Sequence, residues 1–127
     1  MKIFITGIAG FLGSHLADKL LEQGHEVSGC DNLIGGYLEN VPSGAEFFQV
    51  DAIYLNQMKK MTKGADLIIH TACTAYEGLS VFSPYLVGQN TYQISMSVFT
   101  AAAENKVPKV INCSSMARYG EQETIPF

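Results

Sequence analysis

Apolar residues in this chain fall into short blocks whose spacing switches between the period of a strand and that of a helix. Lys2-Ile3-Phe4-Ile5 is a β-favouring run that ends in glycines at 7, 10 and 13. Leu12, Leu16 and Leu20 then recur every four residues, with Ala17 and Leu21 beside them, and predict one apolar helical face. Gly24 stops that helix, and Glu26 to Cys30 reads as a second strand closed by Asp31. A third strand spans Ala45 to Val50, with Asp51 at its end. Leu55, Met58 and Met61 mark a short helix, with Gly64 as its stop. Asp66 to Ala72 is a continuous apolar run, the mark of a strand covered on both faces. Ser83-Pro84 predicts the opening of a long helix, with a capping hydroxyl followed by proline at the first helical position. That helix carries two apolar stripes and ends at Asn105. One stripe is Val87, Thr91, Ile94, Val98 and Ala101; the other is Tyr85, Tyr92, Met96, Phe99 and Ala103. Two stripes exceed what one sheet face covers: either the helix buries a wide core-facing band or, the favoured reading, it packs on the sheet and also on another subunit. Lys109 to Cys113 is the fifth strand and leads into Ser114-Ser115.

Strands alternating with helices predict an α/β fold, a doubly wound parallel sheet in the order 3-2-1-4-5. In such a sheet the ligand lies outside the carboxyl ends of strands 1 and 4. Asp31, Asp51, Thr71 and Ser114-Ser115 all fall at carboxyl ends of strands, and therefore at one crevice.

The glycines supply the chemistry of that crevice. A buried strand, a tight turn and a helix N-terminus follow one another without a spacer, which makes a phosphate cradle. Gly7 is suited to a left-handed turn, Gly10 to close approach of a pyrophosphate, and Gly13 to close packing of helix on strand. Asp31 lies eighteen residues beyond Gly13, where a dinucleotide fold places the carboxylate that binds the adenosine ribose. A 2′-phosphate at ~4 Å from that carboxylate would cost on the order of 4 kcal/mol per unit charge at an effective dielectric of about 20. No Lys or Arg is near Asp31 in sequence to offset it, so NAD is expected over NADP. Asp51 could meet the adenine amino group or cap the helix that follows. His70 is expected to be a packed, hydrogen-bonded residue rather than a catalytic base.

Composition narrows the rest. At 127 residues the chain is one domain, able to bury roughly two thirds of its unfolded surface. Hydrophobic content of 47% against 16% charged residues excludes disorder. No apolar run reaches the ~18 residues of a membrane span, and the strand-like N-terminus lacks a signal-peptide cleavage site. A net charge of −4 without a Lys/Arg cluster argues against nucleic acid. Cys30, Cys73 and Cys113 are scattered and are expected to be reduced, buried thiols of a cytoplasmic protein. The histidines are equally scattered, and no metal site is expected.

In combination these residues resemble a family. Thr6 to Gly13 matches the TGxxGFxG motif of the extended short-chain dehydrogenase/reductases, and Asp31-Asn32-Leu33 with Gly35-Gly36 looks like their DNL-x-G-G segment. His70-Thr71-Ala72-Cys73 resembles their HxAA segment, Asn90 stands at their helix Asn, and Cys113 to Gly120 resembles their SSxxxYG stretch. The nearest kind is the NAD-dependent nucleotide-sugar epimerases and dehydratases like UDP-glucose 4-epimerase. The resemblance implies a Rossmann-type domain in which Gly7, Gly10, Phe11, Leu12 and Gly13 hold the pyrophosphate. It assigns Asp31 and Asn32 to the ribose, and Asp51 and Ala52 to the adenine. Thr71, Ala72 and Cys73 would line the nicotinamide ribose, with Asn90 and Ser114 also in the cofactor set, and Ser115 would be the catalytic serine.

One motif of that family has no counterpart. Its proton is moved by the Tyr of a Tyr-x-x-x-Lys pair, and no lysine follows Tyr76, Tyr92 or Tyr119 at that spacing. The resemblance therefore implies an NAD-binding portion, spanning residues 1–127 and truncated before the sixth strand, without its substrate half. A nucleotide sugar would be a partner only if missing residues completed the site; the alternative is a naturally short NAD-binding or oligomerising module. A homo-oligomer is expected in either case, through the helix stripe or the edge of strand 5.

Overall fold

The structure, a computed structural model, describes residues 1–74, 76–121 and 123–124. Five parallel strands form one sheet in the order β3-β2-β1-β4-β5. They are β1 (Lys2–Thr6), β2 (Glu26–Asp31), β3 (Glu46–Gln49), β4 (Leu67–His70) and β5 (Val110–Asn112). The order and the strand positions are those expected; the ends differ by one or two residues, as strand ends do. Thr6 is in register with Cys30 and with His70, and Cys30 with Phe48, so the carboxyl ends of the inner strands are level.

Alternation along β1 divides the core. Phe4 joins Cys30, Ala52, Met58 and Ile68 beneath the helical pair on one face. Ile3 and Ile5 join Val27, Leu67 and Ile69 on the other. The second face is covered by α1 (Phe11–Glu22) through Ala17, Leu16, Leu20 and Leu21. The first is covered by α2 (Leu55–Met61) and α5 (Ile94–Glu104) through Met58, Ile94, Val98 and Ala101. Asn105 locks those two helices together by donating from Nδ2 to the Lys59 carbonyl (2.7 Å) and the Thr62 hydroxyl (2.9 Å).

Several expectations need correction. Leu12 does not lie on the buried stripe of α1: it is exposed, because Gly13 and Ser14 press the first turn against β1 and leave Leu12 on the outside. The long helix is one helical run from Pro84 to Glu104, but it consists of α4 (Pro84–Gly88), a widened π-turn (Gln89–Gln93) and α5. A separate helix, α3 (Glu77–Phe82), precedes it where no apolar period announces one. Ser83 does stand before Pro84, with its backbone at φ −137°, ψ 61°, yet its hydroxyl makes no capping bond. The cysteines also divide: Cys30 is buried, whereas Cys73 and Cys113 sit at strand ends and are exposed.

The two stripes separate over α5 but not before it, where Val87 is only half-buried and Thr91 is exposed. Ile94, Val98 and Ala101 are buried on the sheet, while Tyr85, Tyr92, Met96 and Phe99 are exposed. No helix among the described residues is long and apolar enough to cross a membrane.

Ser97 is 6% exposed, and its hydroxyl has no hydrogen-bond partner among the described residues. A buried hydroxyl left unpaired costs roughly 1–3 kcal/mol, and alanine is the better helix former. Ser97→Ala should raise the denaturant midpoint by the equivalent of about 1 kcal/mol. A lower midpoint would show that the hydroxyl is satisfied after all.

Candidate cofactor site

The site begins where β1 stops. Gly7 turns the chain at φ +75°, a conformation that a β-carbon would strain. Its amide and that of Ile8 donate to the Cys30 carbonyl (2.7 and 3.3 Å), which sews the turn to the end of β2. Gly10 then donates to the Gly7 carbonyl (3.0 Å) and stands before the first residue of α1 with no side-chain cap. A β-carbon on Gly13 would run into the Gly7 carbonyl and lie 2.8 and 2.9 Å from Gly7 C and Ile8 Cα. One on Gly10 would meet only the Gly7 carbonyl oxygen, at 3.2 Å. The helix start is thus packed hard against the strand on one side and bare on the other. The amides of Phe11, Leu12 and Gly13 belong to the first turn, where the helix itself supplies no acceptor. The Phe11 side chain points out into solvent, stacked on His15 at 4.8 Å. A bare helix N-terminus of this kind can hold an anion, and glycine is what keeps it open.

Two carboxylates stand beside it. Asp31 accepts from the Ala9 amide (3.1 Å) with one oxygen and from the Leu33 amide (2.8 Å) with the other. Each oxygen has two lone pairs, so the carboxylate retains one acceptor position per oxygen. Asp51 accepts from Ile53 N (3.0 Å) and from Asn32 Nδ2 (2.9 Å). Asp51 therefore closes a turn and does not cap α2, whose first residue follows Tyr54. Asn32 bridges the ends of β2 and β3, and its Oδ1 also receives the Ile34 amide (3.1 Å). Ala52 is buried beneath this pair. Among the described residues no ion pair reaches Asp31 or Asp51; the ion pairs that form are Lys2–Glu26, Lys19–Glu22 and Lys59–Glu104.

The loop at 33–40, for which the sequence offers no clear element, docks on the same turn. Tyr37 N and Asn40 Nδ2 both donate to the Ala9 carbonyl at 3.1 Å. A β-carbon on Gly36 would lie 2.9 Å from Ala9. The Gly35-Gly36 pair was the only signal of this contact in the sequence.

Across the crevice, Thr71 donates its hydroxyl to the Thr6 carbonyl (2.7 Å), and the Ala72 amide donates to Thr6 Oγ1 (3.3 Å). Cys113 N reaches the His70 carbonyl (3.0 Å), which sets Cys73, Cys113, Ser114 and Ser115 at neighbouring strand ends. The Cys73 thiol is raised above its ordinary value, first by desolvation and then by Cys113. Burial with the nearby Asp31 and Asp51 pushes the Cys30 thiol up to about 12, so it stays protonated and inert. Asn90 is half-buried on the π-turn, and Ser114 and Ser115 are exposed beyond β5.

Comparison with known proteins agrees with this geometry. The model of the NAD dependent epimerase/dehydratase family matches residues 3–127. The chain belongs to that family. UDP-glucose 4-epimerase of Streptomyces lividans is 34% identical over 99% of this chain and 39% of its own length. The solved UDP-glucose 4-epimerase of Brucella ovis, in complex with NAD, is 30% identical with a TM-score of 0.94 over 98% of this chain and 39% of its own. That of Thermotoga maritima, with UDP-glucose, is 30% identical with a TM-score of 0.93 over 98% and 41%. The chain spans about two fifths of the length of these relatives.

His70 behaves as a packed residue. It is 3% exposed, Nδ1 is 2.7 Å from Thr6 Oγ1 and Nε2 is 3.0 Å from Ser95 Oγ. Desolvation pushes its pKa down to about 4 from the ordinary 6.5. The unfolded chain therefore takes up this proton first. The stabilisation is complete above about pH 6.5 and is lost as the pH falls toward 4, roughly 3 kcal/mol in all. Denaturant titrations should show the advantage of the parent chain over His70→Gln shrinking by about 2 kcal/mol between pH 7 and pH 5. A gap that stays constant with pH would show that His70 carries an ordinary pKa.

Proposed function

We propose that this chain is the NAD-binding portion of an oxidoreductase-type epimerase or dehydratase that acts on a nucleotide sugar. The observation that carries the reading is the glycine cradle: a helix N-terminus held open at Gly10, with Asp31 acceptors beside it and Thr71–Cys73 opposite. The residues fit the cofactor. Gly7, Gly10, Phe11, Leu12 and Gly13 would take the pyrophosphate through backbone amides, and Asp31 the ribose hydroxyls through its two remaining acceptor positions. Asn32 positions Asp51 toward the adenine, and Thr71, Ala72, Cys73, Asn90 and Ser114 would border the nicotinamide half. NAD, when bound, would accept and return the hydride, and Ser115 would hydrogen-bond the reacting sugar hydroxyl. No lysine stands four residues after Tyr76, Tyr92 or Tyr119, so these 127 residues carry no Tyr-x-x-x-Lys pair and should not turn over a sugar by themselves.

The exposed stripe of Tyr85, Tyr92, Met96 and Phe99 supports self-association through the helix. Three free thiols fit a reducing, cytoplasmic setting.

Calorimetric titration should show NAD binding at least about tenfold tighter than NADP, and Asp31→Ala should remove most of that preference. Equal affinities in the parent chain would contradict the role of Asp31. Mixing the chain with NAD and UDP-glucose should leave the absorbance of reduced nicotinamide flat. A rising trace would mean that a competent proton shuttle exists within these residues.

A further inference from the structure

The hydrogen bonds around His70 have a direction. The Ser95 hydroxyl donates its single proton to the Thr91 carbonyl at 2.6 Å. Toward His70 Nε2, 3.0 Å away, Ser95 Oγ can therefore act only as an acceptor, so Nε2 carries the proton. A neutral imidazole protonated there has a bare Nδ1, which accepts from Thr6 Oγ1–H at 2.7 Å. Thr6 Oγ1 in turn accepts from the Ala72 amide at 3.3 Å. The bonds form one line: Ala72 N–H to Thr6, Thr6 to His70, His70 to Ser95, and Ser95 to the Thr91 carbonyl.

The two ends of this line lie on different elements, the end of β1 and the π-turn. Thr6 is the last residue of β1, directly before Gly7, and its carbonyl also holds the Thr71 hydroxyl. Thr91 lies within the π-turn that also carries Asn90. A π-turn is a local fault in a helix, stable only where its surroundings hold it, and such turns recur at functional sites. Phe99, one turn beyond Ser95, sets its ring edge-on to His70 at 6.0 Å and closes the apolar side.

We infer that His70 is a positioning residue: it bridges Thr6 to Ser95 and so holds the π-turn bearing Asn90 against the Thr71–Ala72 wall, at the nicotinamide end of the crevice. The inference rests on the cofactor reading above, but among the described residues the adenine half of the site (Asp31, Asn32, Asp51) has no bond to this line. Disturbing the line should therefore weaken what binds at one end of the crevice only.

Two measurements on the 127-residue chain test it. Imidazole nitrogen NMR should show His70 as the Nε2–H tautomer at neutral pH; an Nδ1–H tautomer would overturn the inference. Calorimetry should show Ser95→Ala weakening NAD about fivefold, the value of one net hydrogen bond, while AMP changes by less than about twofold. Ser95→Thr, which keeps the hydroxyl, should restore NAD affinity. Equal losses for NAD and AMP, or no loss for either, would overturn the positioning role and leave the cofactor reading intact. A parent chain that binds neither NAD nor AMP would overturn both.

Discussion

The first turn of α1 approaches the Gly7 carbonyl so closely that only a hydrogen fits on Gly13, and the other features of the site follow from that contact. It sets the angle at which the helix leaves the sheet, brings the unpaired first-turn amides over the ends of the strands, and pushes Leu12 outward. Gly7 makes the same approach possible from the other side by turning the chain through a left-handed conformation. The surrounding loops are fastened to this turn in series: Cys30 holds Gly7 and Ile8, Asp31 holds Ala9, and Ala9 holds Tyr37 and Asn40. A substitution at Gly13 would displace this whole assembly.

On the proposed reading, the carboxylates would serve the fold and the site together. Asp31 is part of the turn's own bonding, yet each of its oxygens keeps one acceptor position. Asp51 is steadied by Asn32, which ties two loops that would otherwise move independently. On the other wall, Thr6, His70 and Ser95 do the equivalent with neutral groups. The buried part of that wall contains no charge, consistent with a histidine whose proton affinity is depressed by desolvation.

Much of this was legible in the sequence because the signals were local. Strand, glycine turn and helix lie within the first sixteen residues, and the order of the strands follows from alternation and handedness alone. The positions of Asp31 and Asp51 were readable as strand ends. What escaped depended on contacts distant along the chain. The docking of the 33–40 loop on Ala9, the bridge from Asn32 to Asp51, and the bond from His70 to Ser95 join segments about twenty or more residues apart. The π-turn at Gln89–Gln93 has no composition of its own, and the exposure of Cys73 and Cys113 follows from where their strands end. Helical period placed the buried and exposed stripes of the long helix correctly over α5, but not at Val87 and Thr91 ahead of it. It overreached at Leu12, where packing at a glycine outweighed the stripe.

On the proposed reading, the bare first turn of α1 receives the dinucleotide's pyrophosphate. Backbone amide NMR during titration with NAD tests it most directly. The amides of Phe11, Leu12 and Gly13 should show the largest shifts and saturate together with the resonances at Asp31. If those three amides stay in place while NAD binds, or shift only with residues far from the turn, the glycine cradle is not the binding site.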